Sequence, residues 1–159
     1  RVIFINSHGG NTALLDIVTR ELRVRHQMLA IHTHWMRFGD GGAADAGEHA
    51  GGIHGGLIET ALIQHFRPEL VRDEARQNFL SRQSELADAF EHLRIHGGHP
   101  FGWMSQDLNP AGTVGDASRA TAEIGKAIAV HQAAGFVTLL REVSVFDAPF
   151  LVSSGMPPA

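Results

Sequence analysis

The feature that most constrains the fold is the passage from an apolar run to a glycine-containing turn within residues 1–11. Residues 2–5 are apolar and largely β-branched, which is typical of a buried strand in a parallel sheet. His8 follows in a polar turn, two glycines come after it, and Asn11 is a residue type that often caps a helix. Because apolar residues then recur at helical spacing, the pattern predicts that a strand ends and a helix begins around His8.

His8 is a candidate ligand because of this position. Open α/β sheets bind ligands outside the carboxyl ends of their strands. Gly9 and Gly10 leave space for a metal or a substrate to approach the imidazole. The alternative is a glycine-rich turn whose histidine has no functional role, and the turn alone does not decide between the two.

The following segments complete a predicted βαβ unit. Residues 11–26 have the periodicity of an amphipathic helix, and residues 28–34 indicate a second strand. A right-handed crossover brings the end of this strand to the sheet edge where His8 lies. His32 and His34 share one face of the strand. They are either metal ligands or polar residues of a partly exposed strand end, and the second interpretation is favoured.

A second His-Gly-Gly turn follows a glycine- and alanine-rich stretch at residues 38–52, which we expect to be a loop that covers or lines a site. The turn begins at His54 and enters a predicted helix over residues 57–66. Glu59 lies in the first turn of that helix. A carboxylate is costly to bury unpaired, so Glu59 is expected to meet a metal, a cation or several backbone donors. The alternative is a glutamate stabilised by the helix dipole.

The remaining segments carry less information about chemistry. Residues 69–94 are charged and predicted to be helical, residues 101–104 are a predicted short strand, and residues 117–140 are predicted to form a helix with one buried side. Residues 143–159 carry three prolines and indicate a docked or frayed tail. Residues 1–159 are interpreted as a single α/β domain. Since the chain opens directly on a strand, we expect an N-terminal part of that domain to be missing.

Composition argues against several functions. A formal net charge of −4 argues against a broad nucleic-acid-binding surface. No apolar run approaches the roughly 20 residues of a membrane span. The absence of cysteine excludes disulfides and thiolate metal sites and fits a cytoplasmic location. Phosphate binding by Gly9 and Gly10 is disfavoured, because the lysine of a P-loop does not accompany them.

Three separated segments resemble the creatininase (creatinine amidohydrolase) family in order and spacing. Residues 5–11 resemble its Asn-Gly-His-Gly-Gly-Asn turn, with serine for the first glycine. Residues 54–61 resemble its His-Ala-Gly-x-x-Glu-Thr-Ser segment, and residues 112–125 resemble its Gly-Val-x-Gly-Asp-Pro and Ala-Thr-Ala-Glu-Lys-Gly segments. The resemblance implies a three-layer α/β/α fold with a mainly parallel sheet.

The resemblance also implies a metal-dependent amidohydrolase. In the family, water activated by two divalent metal ions (Zn, Mn or Fe) attacks a small amide, a cyclic amide or a formamide and breaks its C–N bond. By this resemblance His8 is a metal ligand and His54 is a catalytic acid and base. Glu59 is a further ligand or a carboxylate that holds the site, and Trp35 and Asn11 contact the substrate. A homo-oligomer such as a hexamer is implied, with no nucleic-acid or membrane partner.

The chain departs from creatininases proper at two places. They have His-Tyr-Glu where this chain has His8, Gly9 and Gly10, and an acidic residue where it has Ile53. The His-Gly-Gly-Asn form occurs in family members that act on formamides, peptides or other amides, so a substrate other than creatinine is expected. The family's earlier Glu-x-His and bridging Asp have no counterpart here. The alternative function is therefore a non-catalytic or incomplete fragment that only binds or assembles.

Overall fold

The computed structural model describes residues 1–146, which divide into two compact units. One unit contains Arg1–Gly39 and the chain from His131 onward, and the other contains Asp40–Val130. The part of the predicted tail from residue 147 lies outside the described residues. No helix among the described residues is long and apolar enough to cross a membrane.

The first unit contains the βαβ element that the apolar pattern predicts. Its elements are β1 (Val2–Asn6), α1 (Thr12–His26) and β2 (Ala30–His34). The two strands pair in parallel with Asn6 opposite His34, so both strands end at one edge. Residues 2–5 are half-buried rather than buried as predicted, because β1 pairs only with β2 within residues 1–146.

Aromatic packing orders the turn after β2. Trp35 lies edge-on to Phe136, with ring centroids 5.4 Å apart, and Phe38 lies 6.2 Å from Phe136. Phe136 belongs to the last helix, α6 (Ala122–Val145). Nε2 of His131 on the same helix lies 2.9 Å from the carbonyl oxygen of Phe38. Each aromatic pair contributes about 0.5–1.5 kcal/mol beyond its buried area, so these contacts stabilise the turn against α6.

The second unit consists of short elements around two small cores. Its helices are α2 (Ala46–Gly51), α3 (Leu57–Phe66), α4 (Gln83–Ala89), α5 (Ser105–Leu108) and the start of α6. Its strands are β3 (Asn78–Phe79), β4 (Leu93–Arg94), β5 (His99–Pro100) and β6 (Gly115–Asp116). β3 pairs antiparallel with β6, and β4 pairs parallel with β5. The mixture of helices and strands confirms the predicted α/β class.

Helix α3 contributes two residues to a core of the second unit. Leu57 and Ala61, one turn apart on α3, are both almost fully buried and pack with Ala120. Gly125 of α6 crosses α3 so closely that a Cβ at that position would overlap the carbonyl group of Ala61. The close crossing fixes α3, the helix that carries Glu59.

Several predicted elements are wrong. Residues 69–94 are not helical throughout, since α4 is their only α-helix and two 3-10 turns and two strands make up much of the rest. Leu80, one of the apolar positions of this segment, is 72% exposed. Residues 101–104 form no strand, and Trp103 donates its indole N–H to the carbonyl of Ile95 at 3.0 Å. The helix predicted over residues 117–140 is α6, which begins and ends later.

Candidate functional site

A buried asparagine holds the turn that carries His8. The side-chain oxygen of Asn6 accepts the backbone N–H of His8 at 3.1 Å and the side-chain N–H of Asn11 at 3.2 Å. The amide nitrogen of Asn6 donates to the carbonyl of His8 at 2.7 Å. Asn11 is the N-cap residue of α1, as predicted, but its side chain bonds to Asn6 instead of to a backbone N–H of the helix. Its role in substrate binding stays a prediction.

The imidazole of His8 lies over Gly10 at the exposed end of β1. A Cβ at Gly10 would stand 2.8 Å from Nε2 of His8, so the missing side chain makes space for the ring itself. The structure confirms that His8 lies between a strand and a helix. Its role as a metal ligand stays a prediction.

The histidines of β2 have local structural partners. Nε2 of His32 lies 3.7 Å from a carboxylate oxygen of Asp16, and its ring is largely buried. Nδ1 of His34 accepts the N–H of Met36 at 3.1 Å. These contacts agree with the favoured interpretation of the pair as strand-end polar residues. Trp35 is part of the aromatic cluster of the first unit, and its contact with substrate stays a prediction.

His54 is held in an extended conformation by Val114. The N–H of His54 donates to the carbonyl of Val114 at 3.0 Å, and the N–H of Val114 donates back at 2.7 Å. The chain then turns through Gly55, whose φ of +68° is a conformation that glycine adopts easily. Helix α3 begins two residues later, at Leu57. His54 is therefore fixed at the entrance to α3.

Glu59 lies beside His54 at the start of α3. Its Oε2 atom accepts the N–H of Gly55 at 2.6 Å and lies 3.9 Å from Nδ1 of His54. Both side chains are about half exposed, so the expectation of a buried carboxylate is wrong. Glu59 does meet a backbone donor and a group that can become a cation. A carboxylate next to an imidazole can orient the ring, an arrangement suited to proton transfer.

A cleft of about 710 Å³ adjoins Glu59. Gly55 and Thr60 line it beside the carboxylate, and Thr113 and Arg72 line other parts of its wall. This volume lies within the usual range for sites that bind small ligands, roughly 300–1,000 Å³. A substrate in the cleft would contact Glu59 directly.

The sequence analysis missed a buried carboxylate, that of Glu48. The stretch at residues 38–52, predicted to be a loop, contains α2, and Oδ1 of Asp45 caps this helix by accepting the N–H of Glu48. Glu48 is 7% exposed, and its carboxylate accepts the N–H of Leu57 at 2.8 Å and that of Asp116 at 3.2 Å. The one available signal is an acidic cap three residues before a glutamate, which resembles a capping box.

Asp40 is a second buried carboxylate of the same stretch. Burial alone would raise its pKa, but the N–H groups of Ala44 and Gly42 and the nearby His49 outweigh that effect. The pKa of Asp40 is therefore below its ordinary value. Its oxygens accept these two N–H groups at 2.8 and 3.0 Å. Asp40 is thus engaged within its own loop.

The described residues do not fit a complete two-metal centre. Within residues 1–146, no group of three or more histidine, aspartate or glutamate side chains is arranged to hold a metal ion. A catalytic metal site needs about three protein ligands for each ion. His8 belongs to the first unit, whereas His54 and Glu59 belong to the second. Their assembly into one site and the metal role of Glu59 stay predictions.

Comparison with known proteins gives a family assignment. The family model described as creatinine amidohydrolase (Creatininase) matches residues 1–140. The mycofactocin precursor peptide peptidase of Mycobacterium ulcerans is 30% identical over 128 residues, which are 80% of this chain and 43% of that protein.

Solved structures show the same fold. A protein assigned as a creatinine amidohydrolase from Bacteroides fragilis superposes with a TM-score of 0.69 at 20% identity, over 92% of this chain and 55% of that one. A creatininase in an Mn form superposes with a TM-score of 0.56 at 21% identity, over 90% of this chain and 56% of that one. The chain spans about half the length of these relatives. By its match over residues 1–140, the chain belongs to the creatininase family.

Proposed function

We propose that the protein is a metal-dependent amidohydrolase that cleaves an amide C–N bond, and that this chain supplies His54 and Glu59 to the reaction. The observation that carries the proposal is the exposed pair that these two side chains form beside an open cleft. Family membership supports it, because creatinine amidohydrolases and the peptidase relative are both named for breaking an amide bond.

His54 is the proton-transfer group in this proposal. The nitrogen that leaves an amide is a poor leaving group unless it gains a proton, and a histidine is the side chain that most often supplies one. Oε2 of Glu59 lies 3.9 Å from Nδ1, and in this proposal the carboxylate orients the ring. Within residues 1–146, Nε2 of His54 forms no hydrogen bond, and it is the atom proposed to exchange the proton with substrate.

Divalent metal dependence is part of the proposal, with His8 as the ligand that this chain contributes. Two solved creatininases similar to this chain are an Mn form and a Zn–Zn form, the latter with a TM-score of 0.55 at 20% identity over 90% of this chain and 56% of that one. Within residues 1–146 no three candidate ligands come together, and the proposal therefore includes further ligands from residues outside that range.

The substrate is proposed to be a small amide, a cyclic amide or a formamide, or a peptide as the name of the relative suggests. The test is to assay the intact protein against members of each class, before and after removal of metal with a chelator. Hydrolysis of one class that a chelator abolishes and Zn or Mn restores is the expected result. Failure to hydrolyse any class after metal loading would contradict the proposal.

The alternative is a protein that keeps the fold and only binds or assembles. Exposed apolar side chains on α1 and α6 favour it, because such residues often mark contact surfaces. They are Leu14, Ile17, Val24, Val137 and Leu140. A stable homo-oligomer that holds no metal after loading would support this alternative, whereas about two metal ions per chain would support the enzyme.

A further inference from the structure

We propose that Glu48 is a positioning residue that sets the geometry of His54 and Glu59. The expected loss of turnover on replacing Glu48 rests on the proposed function, whereas the expected loosening of the segments that carry His54 and Glu59 does not. Glu48 touches neither His54 nor Glu59 through a hydrogen bond that the structure records. It acts through the two backbone segments that carry them.

The carboxylate of Glu48 joins two elements. Oε1 accepts the N–H of Leu57, the first residue of α3, and Oε2 accepts the N–H of Asp116 in β6. Val114, the backbone partner of His54, lies two residues before Asp116. The helix that carries Glu59 and the segment that anchors His54 are therefore clamped to one side chain.

The surrounding backbone is shaped around this carboxylate. A Cβ at Gly52 or at Gly56 would overlap Oε1 of Glu48. A Cβ at Gly115 would stand 2.8 Å from the Cα of Gly56, closer than real atoms approach, and 3.3 Å from Oε1. Gly52, Gly56 and Gly115 therefore allow the backbone on both sides of His54 and in β6 to pack directly against the carboxylate of Glu48.

The backbone N–H groups around Glu48 suit a carboxylate. A buried carboxylate is costly unless hydrogen bonds compensate its lost hydration. Here the unsatisfied N–H groups at the start of α3 and the positive end of its dipole meet the charge. A neutral glutamine would keep the shape of Glu48, but its NH2 group would face one of the two N–H donors. Because of that mismatch, one of the two hydrogen bonds should be lost, either the one from α3 or the one from β6.

Asp40 provides a matched control for Glu48. Both carboxylates are 7% exposed, and each accepts two backbone N–H groups. The donors to Asp40 are Gly42 and Ala44 of its own loop, whereas the donors to Glu48 belong to α3 and β6. Replacement of either acid should therefore lower stability, but only replacement of Glu48 should disturb the His54 turn.

The test compares Glu48→Gln with Asp40→Asn in the intact protein. The first readout is hydrogen exchange at the N–H of Gly55, which Glu59 holds at 2.6 Å. Glu48→Gln should speed this exchange at least about tenfold relative to the wild type, after correction for any change in global unfolding, and Asp40→Asn should not. The second readout is amide hydrolysis, in which Glu48→Gln should lower kcat by about 10–100-fold with little change in KM, as for other residues that orient a catalytic group.

Each result decides the proposal. Equal Gly55 exchange in the wild type and Glu48→Gln, or equal acceleration in Glu48→Gln and Asp40→Asn, would overturn it. If Glu48→Gln does not fold, Glu48→Asp keeps the charge but cannot span both donors, and the same two readouts apply to it. If the wild type hydrolyses no amide, the proposed function fails, while Gly55 exchange still tests the positioning role.

Discussion

Nδ1 of His54 lies 3.9 Å from Oε2 of Glu59. The same oxygen accepts the N–H of Gly55, so the carboxylate cannot turn away from the ring without losing a hydrogen bond of 2.6 Å. Backbone pairing with Val114 fixes the other side of the turn. The chain thus presents the His54 imidazole at its surface, and the neighbouring Gly55 and Glu59 line a cleft large enough for a small ligand.

Loss of the charge on Glu59 should slow catalysis without unfolding the protein. In Glu59→Gln the side-chain oxygen can still accept the N–H of Gly55, but the negative charge beside His54 is gone. We expect kcat to fall by about 10–100-fold, by analogy with the loss of a carboxylate that orients a metal-ligating histidine. Glu91→Gln is the matched control, because Glu91 also lies 3.9 Å from a histidine, His92, on the surface. Equal rates in the two variants would contradict the role of Glu59.

Removal of the His8 imidazole should lower metal binding. The residue lies at the carboxyl end of β1 and is exposed, as a ligand shared with other parts of a metal site would be. After metal loading and dialysis of His8→Ala, elemental analysis should find clearly less metal per chain than in the wild type. His26→Ala, which removes an exposed histidine at the end of α1, should retain the wild-type amount. If His8→Ala retained as much metal per chain as the wild type, the assignment of His8 as a metal ligand would be wrong.

Replacement of Gly125 by alanine should destabilise the protein. An alanine there would overlap the carbonyl group of Ala61, so α6 and α3 would have to separate. Overpacking of this kind costs about 1–3 kcal/mol, and each kcal/mol lowers Tm by roughly 2–4 °C in a chain of this size. Gly102→Ala is the control, since nothing lies within 4 Å of a Cβ at that position. Equal Tm values for Gly125→Ala and Gly102→Ala would contradict the close approach of α6 to α3.

Asp40 should stabilise the fold at neutral pH and lose that effect in acid. Its pKa in the folded protein is below the ordinary value of 3.8, since backbone N–H groups and His49 outweigh the effect of burial. A group with a lowered folded pKa stabilises the protein above its unfolded pKa, and the contribution disappears as pH falls through the folded value. Asp40→Asn should therefore lower the free energy of unfolding at pH 7, and the difference from the wild type should shrink as pH falls below about 3.8. Urea unfolding at pH 7, 5 and 3 measures this, and a difference independent of pH would refute the assignment.

The 159-residue chain by itself should be a poor catalyst. Within residues 1–146 no three candidate ligands come together, and the carboxylates of Asp40 and Glu48 are engaged by backbone donors. We expect weak metal binding and no hydrolysis of amides at ordinary enzymatic rates. Ordinary turnover by the metal-loaded chain, measured with the same substrates as the intact protein, would show that its own residues complete the site.

Regular apolar spacing was enough to predict the βαβ element and α3. Residues 11–26 and 57–66 carry side chains that recur at helical intervals, and α1 and α3 occupy nearly the same ranges. Residues 69–94 show the limit of this reasoning. The segment was predicted to be helical, but it forms 3-10 turns, short strands and one short helix, and its apolar residue Leu80 is exposed.

The candidate site was predictable in part. The interval of five residues between His54 and Glu59 places both at the start of α3, and the structure brings them together. The role of Glu48 could not be predicted, since the capping pattern of Asp45 and Glu48 indicates only the start of a helix, and α2 is six residues long and shows no apolar periodicity. Its carboxylate bonds with residues 9 and 68 positions away in the chain, and such contacts leave no local pattern.

The central claim, that His54 transfers a proton during amide hydrolysis, is tested most directly by comparing His54→Ala with His92→Ala in the intact, metal-loaded protein. Both variants remove an exposed histidine that lies 3.9 Å from a glutamate oxygen. Loss of a general acid and base lowers turnover by about 10²–10⁴-fold, so kcat should fall by that factor in His54→Ala, with metal content unchanged, and remain at the wild-type value in His92→Ala. Wild-type kcat in His54→Ala would contradict the account.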